Sequence, residues 1–153
     1  KGGSRIVELV NECLQIELTG HKQYLLAVAT LERCRLTRLR DAERAYSHEE
    51  TDHAAVILHR ILLLEGTPNL SDAGAVSAPA STTEQLRRDE ALVTRAIVQL
   101  RGAVGHAASV GDDGSRALLE HMLVDEEKHL DWLEQQLGLI ATLGDKLYSH
   151  AQI

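Results

Sequence analysis

The chain has 153 residues, 44% of them hydrophobic, and a formal net charge of −7; this allows one domain with a sizeable core and excludes a disordered chain. The absence of Phe, the 2 Pro residues and the 3% aromatic content favour helices over a sandwich or barrel. No apolar run approaches the ~20 residues of a membrane span, and an acidic chain without a basic tail is not typical of nucleic-acid-binding proteins.

Apolar residues recur at three- and four-residue spacing in four long segments, which predicts four long helices. The predicted helices, with a short fifth one at the end, cover about residues 4–35, 38–65, 82–110, 114–143 and 146–153. Ser4 is expected to cap the first helix, and the capping-box pattern at 82–85 to start the third. Gly66 and Gly144 are expected to end the second and fourth.

Loop lengths predict the topology of these helices. The first and second helices, and likewise the third and fourth, are joined by a few residues, so each pair is expected to be antiparallel. The connection over 66–81 could span roughly 50 Å, whereas the second helix is about 42 Å long. This connection can therefore run the length of the bundle and make helices two and three parallel. The alternative is a disordered linker between two helical hairpins, neither of which would bury its apolar face well.

Polar residues interrupt the apolar faces at three places. The second helix carries Glu50 and His53, the fourth carries Glu126 and His129, and the first carries Glu17. Each Glu-x-x-His pair spans three positions, so both side chains leave one helix face about 4.5 Å apart in height. Two such pairs are weak evidence as a count, because Glu is common and the chain has 8 His. Their placement on the apolar faces of different helices is more specific.

Three carboxylates at one level of a bundle would repel each other unless a cation lay between them. Mixed carboxylate and imidazole ligation suits iron, manganese or zinc. These five residues therefore predict a divalent metal site. The alternative is ordinary surface charge, and the remaining histidines lack comparable partners.

The sequence resembles the bacterioferritins of the ferritin superfamily over nearly its whole length. The stretches that carry the resemblance are 17–24, 61–70, 125–134 and 151–153. It implies an all-α, ferritin-like four-helix bundle with a long crossover between helices two and three and a short fifth helix, with residues 1–153 as one domain. It further implies a homo-oligomeric hollow shell of 24 subunits, built from two-fold dimers, that stores iron as ferric mineral.

The resemblance also implies a di-iron ferroxidase site in each bundle. Glu17 and His53 would be terminal ligands of the first iron, Glu50 and Glu126 would bridge the two irons, and His129 would bind the second. Tyr24 matches a tyrosine beside that site.

Two positions depart from the family pattern. Val93 stands where the family has a fourth carboxylate, and Glu90, one turn earlier, is the nearest substitute. Three carboxylates leave one of the four charges of two ferrous ions unbalanced, so we expect a retained first ion, a weak second ion, and slow or absent ferroxidase activity. Thr51 stands at the family's haem-ligating Met position, and a hydroxyl is a poor haem ligand, so no haem is expected in the homo-oligomer.

These losses leave two functions open. One is an iron-storage subunit binding one or two Fe(II), or other divalent metals, with impaired ferroxidase activity. The other is a structural subunit that co-assembles with a catalytic, haem-binding partner. A rubrerythrin-like peroxidase is disfavoured because the sequence has no Cys-x-x-Cys pairs. DNA and membrane partners are disfavoured by the acidic charge and by the lack of a long apolar run. Cys13 and Cys34 lie too far apart on one helix, about 31 Å, to pair, so we expect a reducing, cytoplasmic location.

Overall fold

The computed structural model describes residues 3–153 and is all-helical. Its five helices are α1 (Ser4–Arg33), α2 (Thr37–Leu63), α3 (Thr82–Ser109), α4 (Asp113–Leu143) and α5 (Asp145–Ala151). Helix α1 packs on α2 and α3, α4 packs on α3 and α2, and α5 packs on α4 and α3. The predicted all-α fold with four long helices and a short fifth is confirmed. No helix within the described part of the chain has the length and hydropathy to cross a bilayer.

The connection between α2 and α3 runs alongside α1. Asn11 and Gln15 donate to the carbonyls of Thr67 and Asn69, and the Gly74 amide donates to Thr19 Oγ1 at 2.8 Å. The segment thus runs along α1 in the same direction as that helix. It carries the chain back to the end of the bundle where α2 begins, and α2 and α3 are parallel as expected.

The helix ends differ in detail from those expected. Ser4 is the first helical residue of α1, and Gly3 precedes it as a cap without a side-chain hydrogen bond. The capping box of α3 starts one residue earlier than expected, because Ser81 accepts from the Glu84 amide and Glu84 accepts from the Ala80 amide.

The end of α2 shows why a glycine follows it. Glu65, at φ 61°, takes the left-handed conformation that was expected of Gly66. Gly66 is needed for a different reason: a Cβ there would lie 2.5 Å from Val7 Cγ1 on α1. At the end of α4, Gly144 itself is left-handed, with φ 76°, as the sequence predicts.

The core consists of two apolar clusters that leave a polar layer between them. One contains Val10, Leu14, Ile57, Leu100, Leu119 and Met122, among others. The other contains Leu31, Leu39, Leu86, Val93, Leu133 and Tyr148, among others. Along α1, α2 and α4 the two clusters occupy opposite ends of each helix. The residues between them, in mid-helix, face one another at a single level of the bundle.

Candidate metal centre

The polar layer contains all five residues that the sequence predicted as metal ligands. Glu17 comes from α1, Glu50 and His53 from α2, and Glu126 and His129 from α4. Each is between 1% and 6% exposed. Three buried carboxylates and two buried imidazoles therefore meet inside the bundle, where ionised groups are costly unless they are compensated.

We call Glu17, His53 and Glu126 the first half-site. One potential ligand atom from each lies within 4.8 Å of the others. His53 Nδ1 is 3.2 Å from Glu17 Oε2 and 3.5 Å from Glu126 Oε1. His53 Nε2 faces the other way and is 3.5 Å from Asp125 Oδ2. Both nitrogens of this ring are thus held by carboxylates.

We call Glu50, Glu126 and His129 the second half-site, which shares Glu126 with the first. Its potential ligand atoms also lie within 4.8 Å of one another. Glu126 Oε2 and His129 Nε2 are buried and have no hydrogen-bond partner within residues 3–153. Unsatisfied buried atoms of this kind are rare in folded proteins. A cation in the second half-site would satisfy both atoms, so the donor set fits a divalent metal.

Room for Glu50 is provided by Gly20 on α1. A Cβ at position 20 would lie 2.8 Å from Glu50 Oε2 and 2.9 Å from its Cδ. Gly20 is one of the buried residues of α1. Its specific role is to let the Glu50 carboxylate approach the backbone of α1 closely.

Two of the buried acid groups of the centre, Glu50 and Glu126, have raised pKa values. Burial raises the pKa of Glu50 well above its usual range, and the neighbouring Glu17 and Glu126 carboxylates raise it further. Burial also raises the pKa of Glu126, to about 7, against the opposing hydrogen bond to His53. These shifts indicate an excess of buried acid groups, which is the condition that favours cation binding.

The pKa values of the two imidazoles shift in opposite directions. Burial would lower the pKa of His53, but hydrogen bonds to Glu126 and Glu17 outweigh it and raise this pKa to about 10. Burial lowers the pKa of His129 to about 3, helped by the nearby charge of His53. His53 is therefore a cation that partly neutralises the first half-site, whereas His129 is a neutral ring ready to ligate a metal.

Helix α3 contributes no ligand to either half-site. Val93 is 1% exposed and packs in the apolar cluster with Ile97 and Leu133. Glu90 lines a surface groove with Leu137 and Ile140 and, among the described residues, belongs to neither ligand group. Glu90 therefore does not replace the fourth carboxylate that the resemblance implies, because it lies in this groove and not in the polar layer.

Aromatic rings surround the second half-site. Tyr24, predicted beside the site, lies with its ring centroid 5.4 Å from that of His129, and its buried hydroxyl has no hydrogen-bond partner within residues 3–153. Burial, reinforced by Glu50 and Asp89, raises the pKa of Tyr24 well above its usual value. Tyr46, which the sequence did not point to, stacks face to face on His129, with centroids 3.4 Å apart and planes at 7°.

Two further carboxylate groups escaped the sequence analysis. Glu49 and Asp125 lie within 4.8 Å of a nitrogen of His53, on the outer side of the first half-site. Glu43 and Asp89 form a fully buried acid pair, and Asp89 also accepts from the side-chain amides of Gln23 and Gln85. Burial raises the pKa of Glu43 strongly, and the neighbouring Asp89 carboxylate raises it further. Asp89 sits one turn before Val93 on α3, and this spacing was the available signal.

Thr51, at the expected haem position, is exposed on the outer side of α2. Its Oγ1 donates to the Ser47 carbonyl at 2.9 Å and lies 3.0 Å from His21 Nδ1. The hydroxyl is thus already engaged in local hydrogen bonds. Cys13 is buried and Cys34 exposed, and both thiols are free.

The arrangement matches a known family. A family model described as a ferritin-like domain matches residues 7–143. This span includes all four long helices except the first three residues of α1, and all five residues of the two half-sites. The fold and the centre therefore define a ferritin-like protein.

Relatives of similar length refine this assignment. The chain is 36% identical to Bacterioferritin of Mycobacterium leprae, over 97% of this chain and 94% of that protein. It is 38% identical to Bacterioferritin of Streptomyces coelicolor, over 97% and 89%, and 36% identical to Bacterioferritin of Rhodobacter capsulatus, over 94% and 89%. The chain belongs to the bacterioferritins within the ferritin family, which confirms the resemblance inferred from the sequence.

Proposed function

We propose that this chain is an iron-storage subunit of the bacterioferritin type, which binds Fe(II) inside its own helical bundle. The observation that carries this proposal is the sharing of Glu126 by two buried half-sites, each with one imidazole. Glu17 and His53 would be terminal ligands of a first ion, Glu50 and Glu126 would bridge, and His129 would bind a second ion. The burial of the five side chains and the names of the relatives support these roles.

The two positions are proposed to differ in affinity. Two ferrous ions bring four positive charges, and Glu17, Glu50 and Glu126 offer three negative ones. Val93 cannot supply the fourth, so the second ion leaves a buried charge uncompensated. We therefore propose tight binding of one ion, weak binding of a second, and slow oxidation of Fe(II), because ferroxidase chemistry in this family uses two irons together.

Family membership supports a proposal about the assembly and the location of the protein. We propose a homo-oligomeric shell of 24 subunits that stores ferric mineral, in the cytoplasm, where the free thiols of Cys13 and Cys34 would stay reduced. Bis-methionine haem is not expected in this shell, since Thr51 has no thioether and its hydroxyl bonds to Ser47.

A second function is favoured by the two departures taken together. The chain has a buried valine in place of a carboxylate and a threonine in place of the haem methionine. A non-catalytic subunit that co-assembles with a catalytic, haem-binding bacterioferritin could lose both without loss of shell function. This candidate predicts that the protein alone oxidises Fe(II) no faster than buffer does.

Anaerobic Fe(II) titration of the purified protein, followed by addition of O₂, tests these proposals. We expect one tight ion per chain, a second at least about tenfold weaker, as one charge imbalance of 1.4 kcal/mol or more would give, and ferric product formed faster than in buffer. Two equally tight ions would contradict the weakened second position. No bound ion would contradict the storage function, and binding without accelerated oxidation would favour the structural subunit.

A further inference from the structure

The two imidazoles of the centre are held in different ways. A metal-ligating histidine ordinarily donates its second ring N–H to a carboxylate or carbonyl, which fixes the orientation of the ring. His53 has such partners on both nitrogens. For His129, which is only 2% exposed, Nε2 is buried and has no hydrogen-bond partner within residues 3–153.

The ring of His129 is held by aromatic contacts. The face of Tyr46 lies 3.4 Å from it at 7°, and the ring of Tyr24 lies against it at 5.4 Å and 52°. Tyr46 is itself backed by Trp132, at 5.1 Å. The imidazole thus cannot turn about its side-chain bonds without displacing the phenol ring of Tyr46. Stacked and tilted aromatic pairs contribute stabilisation beyond the burial of their surface.

Helical periodicity explains why these residues meet. Tyr46 precedes Glu50 by four positions on α2, and Trp132 follows His129 by three positions on α4. Each pair therefore shares one helix face, and the two faces oppose each other in the bundle. Tyr46 lies one turn from Glu50, and its half-buried ring covers one face of the His129 imidazole.

We propose that Tyr46 is a positioning residue for the second half-site: its stacked ring fixes the orientation of the imidazole and keeps one nitrogen of His129 directed at Glu50 and Glu126. This inference rests on the proposed function, because it assumes that the second half-site takes up a metal ion. With no carboxylate from α3, this half-site has three ligands, and a freely turning imidazole would leave two. Tyr46 thereby matters more here than it would in a centre with four carboxylates.

Co(II) titration of the metal-free assembly, followed by visible absorption and by quenching of Trp132 fluorescence, tests this role. Trp132 is the one tryptophan of the chain, and its ring lies 6.3 Å from that of His129. Tyr46→Leu removes the stack, and Tyr46→Phe keeps the stacked ring but removes the hydroxyl. We expect Tyr46→Leu to raise the dissociation constant of the second Co(II) at least about tenfold, in the range of second-shell losses. We expect Tyr46→Phe to stay within about twofold of the wild type.

The first half-site serves as the internal control. Its affinity for Co(II) should be unchanged in both variants, which shows that the bundle remains folded. Equal second-ion binding in Tyr46→Leu and wild type would overturn the proposal, as would a Tyr46→Phe variant that binds as poorly as Tyr46→Leu. A wild type that fills only the first half-site would also overturn it. Failure of the proposed function differs from these outcomes, because the wild type would then bind no Co(II) at either half-site.

Discussion

The first and second half-sites use the same kinds of ligand but differ in what surrounds them. In the first, His53 contacts carboxylates through both nitrogens and carries a charge. In the second, the ring of His129 is neutral and is held by stacking on Tyr46, and α3 contributes Val93 instead of a carboxylate. Two identical Glu-x-x-His patterns therefore do not give two equivalent positions. The surrounding charges and contacts make the difference.

The largest expected effect comes from removing what the half-sites share. Glu126→Gln keeps the size of the side chain but removes a charge and a bridging ligand. We expect Fe(II) or Zn(II) affinity to fall at both half-sites by more than about 100-fold, beyond the 10- to 100-fold typical of changes outside the ligand shell. Isothermal titration calorimetry measures this loss.

Glu127→Gln is the matched control for this prediction. Glu127 neighbours Glu126 on α4 but is half exposed and bonds to Arg101 at 2.8 Å on the surface. Its substitution should leave both ions unaffected. If Glu126→Gln lowered the affinity for one ion only, the proposed bridging role of Glu126 would be wrong.

The next effect should come from making the half-sites more alike. Val93→Glu places a fourth carboxylate on α3 and balances the charge of a second divalent ion. We expect second-ion affinity to rise at least about tenfold and Fe(II) oxidation to accelerate. Without metal, an added buried carboxylate should destabilise the fold by several kcal/mol, because it is unpaired among apolar residues.

Thermal unfolding with and without Zn(II) measures both parts of the Val93→Glu prediction. Without metal, the variant should unfold at a lower temperature than the wild type. Added Zn(II) should raise its unfolding temperature by more than it raises that of the wild type. Val93→Gln, which adds length but no charge, is the control and should not gain in this way. Equal gains in the two variants would show that charge balance does not limit the second position.

A smaller effect should appear in the pH dependence of the metal-free protein. The pKa of His53 is raised to about 10, so its stabilising contribution is complete below pH 6.5 and is lost as the pH rises through about 10. The pKa of His129 is lowered to about 3, so burying its neutral ring costs stability increasingly as the pH falls from 6.5 towards 3. Each effect should amount to at most roughly 5 kcal/mol.

Chemical denaturation of His53→Gln and His129→Gln at several pH values compares the two histidines. The free energy of unfolding of His53→Gln should be lower than that of the wild type, and this difference should become smaller between pH 7 and pH 10. Relative to the wild type, the free energy of unfolding of His129→Gln should be higher at pH 5 than at pH 7. The reason is that the substitution removes a group that resists protonation in the folded state. The same pH trend in both variants would contradict the assignment of opposite charge states.

Much of the fold could be predicted from local patterns. Apolar periodicity gave the five helices, and the length of the 66–81 connection gave the crossover. The helix ends were less predictable, because a left-handed residue can be Glu65 as well as a glycine when the next residue must approach α1 closely. The shared level of Glu17, Glu50 and Glu126 also followed from the sequence, since polar residues on apolar faces have few stable places to go.

The residues that tune the centre could not be predicted in this way. Tyr46, Glu43 and Asp89 have partners on other helices, and these partners are apparent only once the helices are placed beside one another. Glu90 shows the converse, because it is near Val93 along α3 yet faces a groove beside Leu137. Spacing along one helix fixes the face of a residue but not what lies across from it.

The sequence by itself determined the kind of chemistry available to this protein: carboxylates and imidazoles on the inner faces of α1, α2 and α4, with a valine on α3. The tertiary structure decided which of these groups lie close enough to bind the same ion, that Glu126 belongs to both half-sites, and that the ring of His129 stacks on Tyr46. The physical reason is that the axial offset and rotation between packed helices depend on the whole core. No single segment of the chain contains that information.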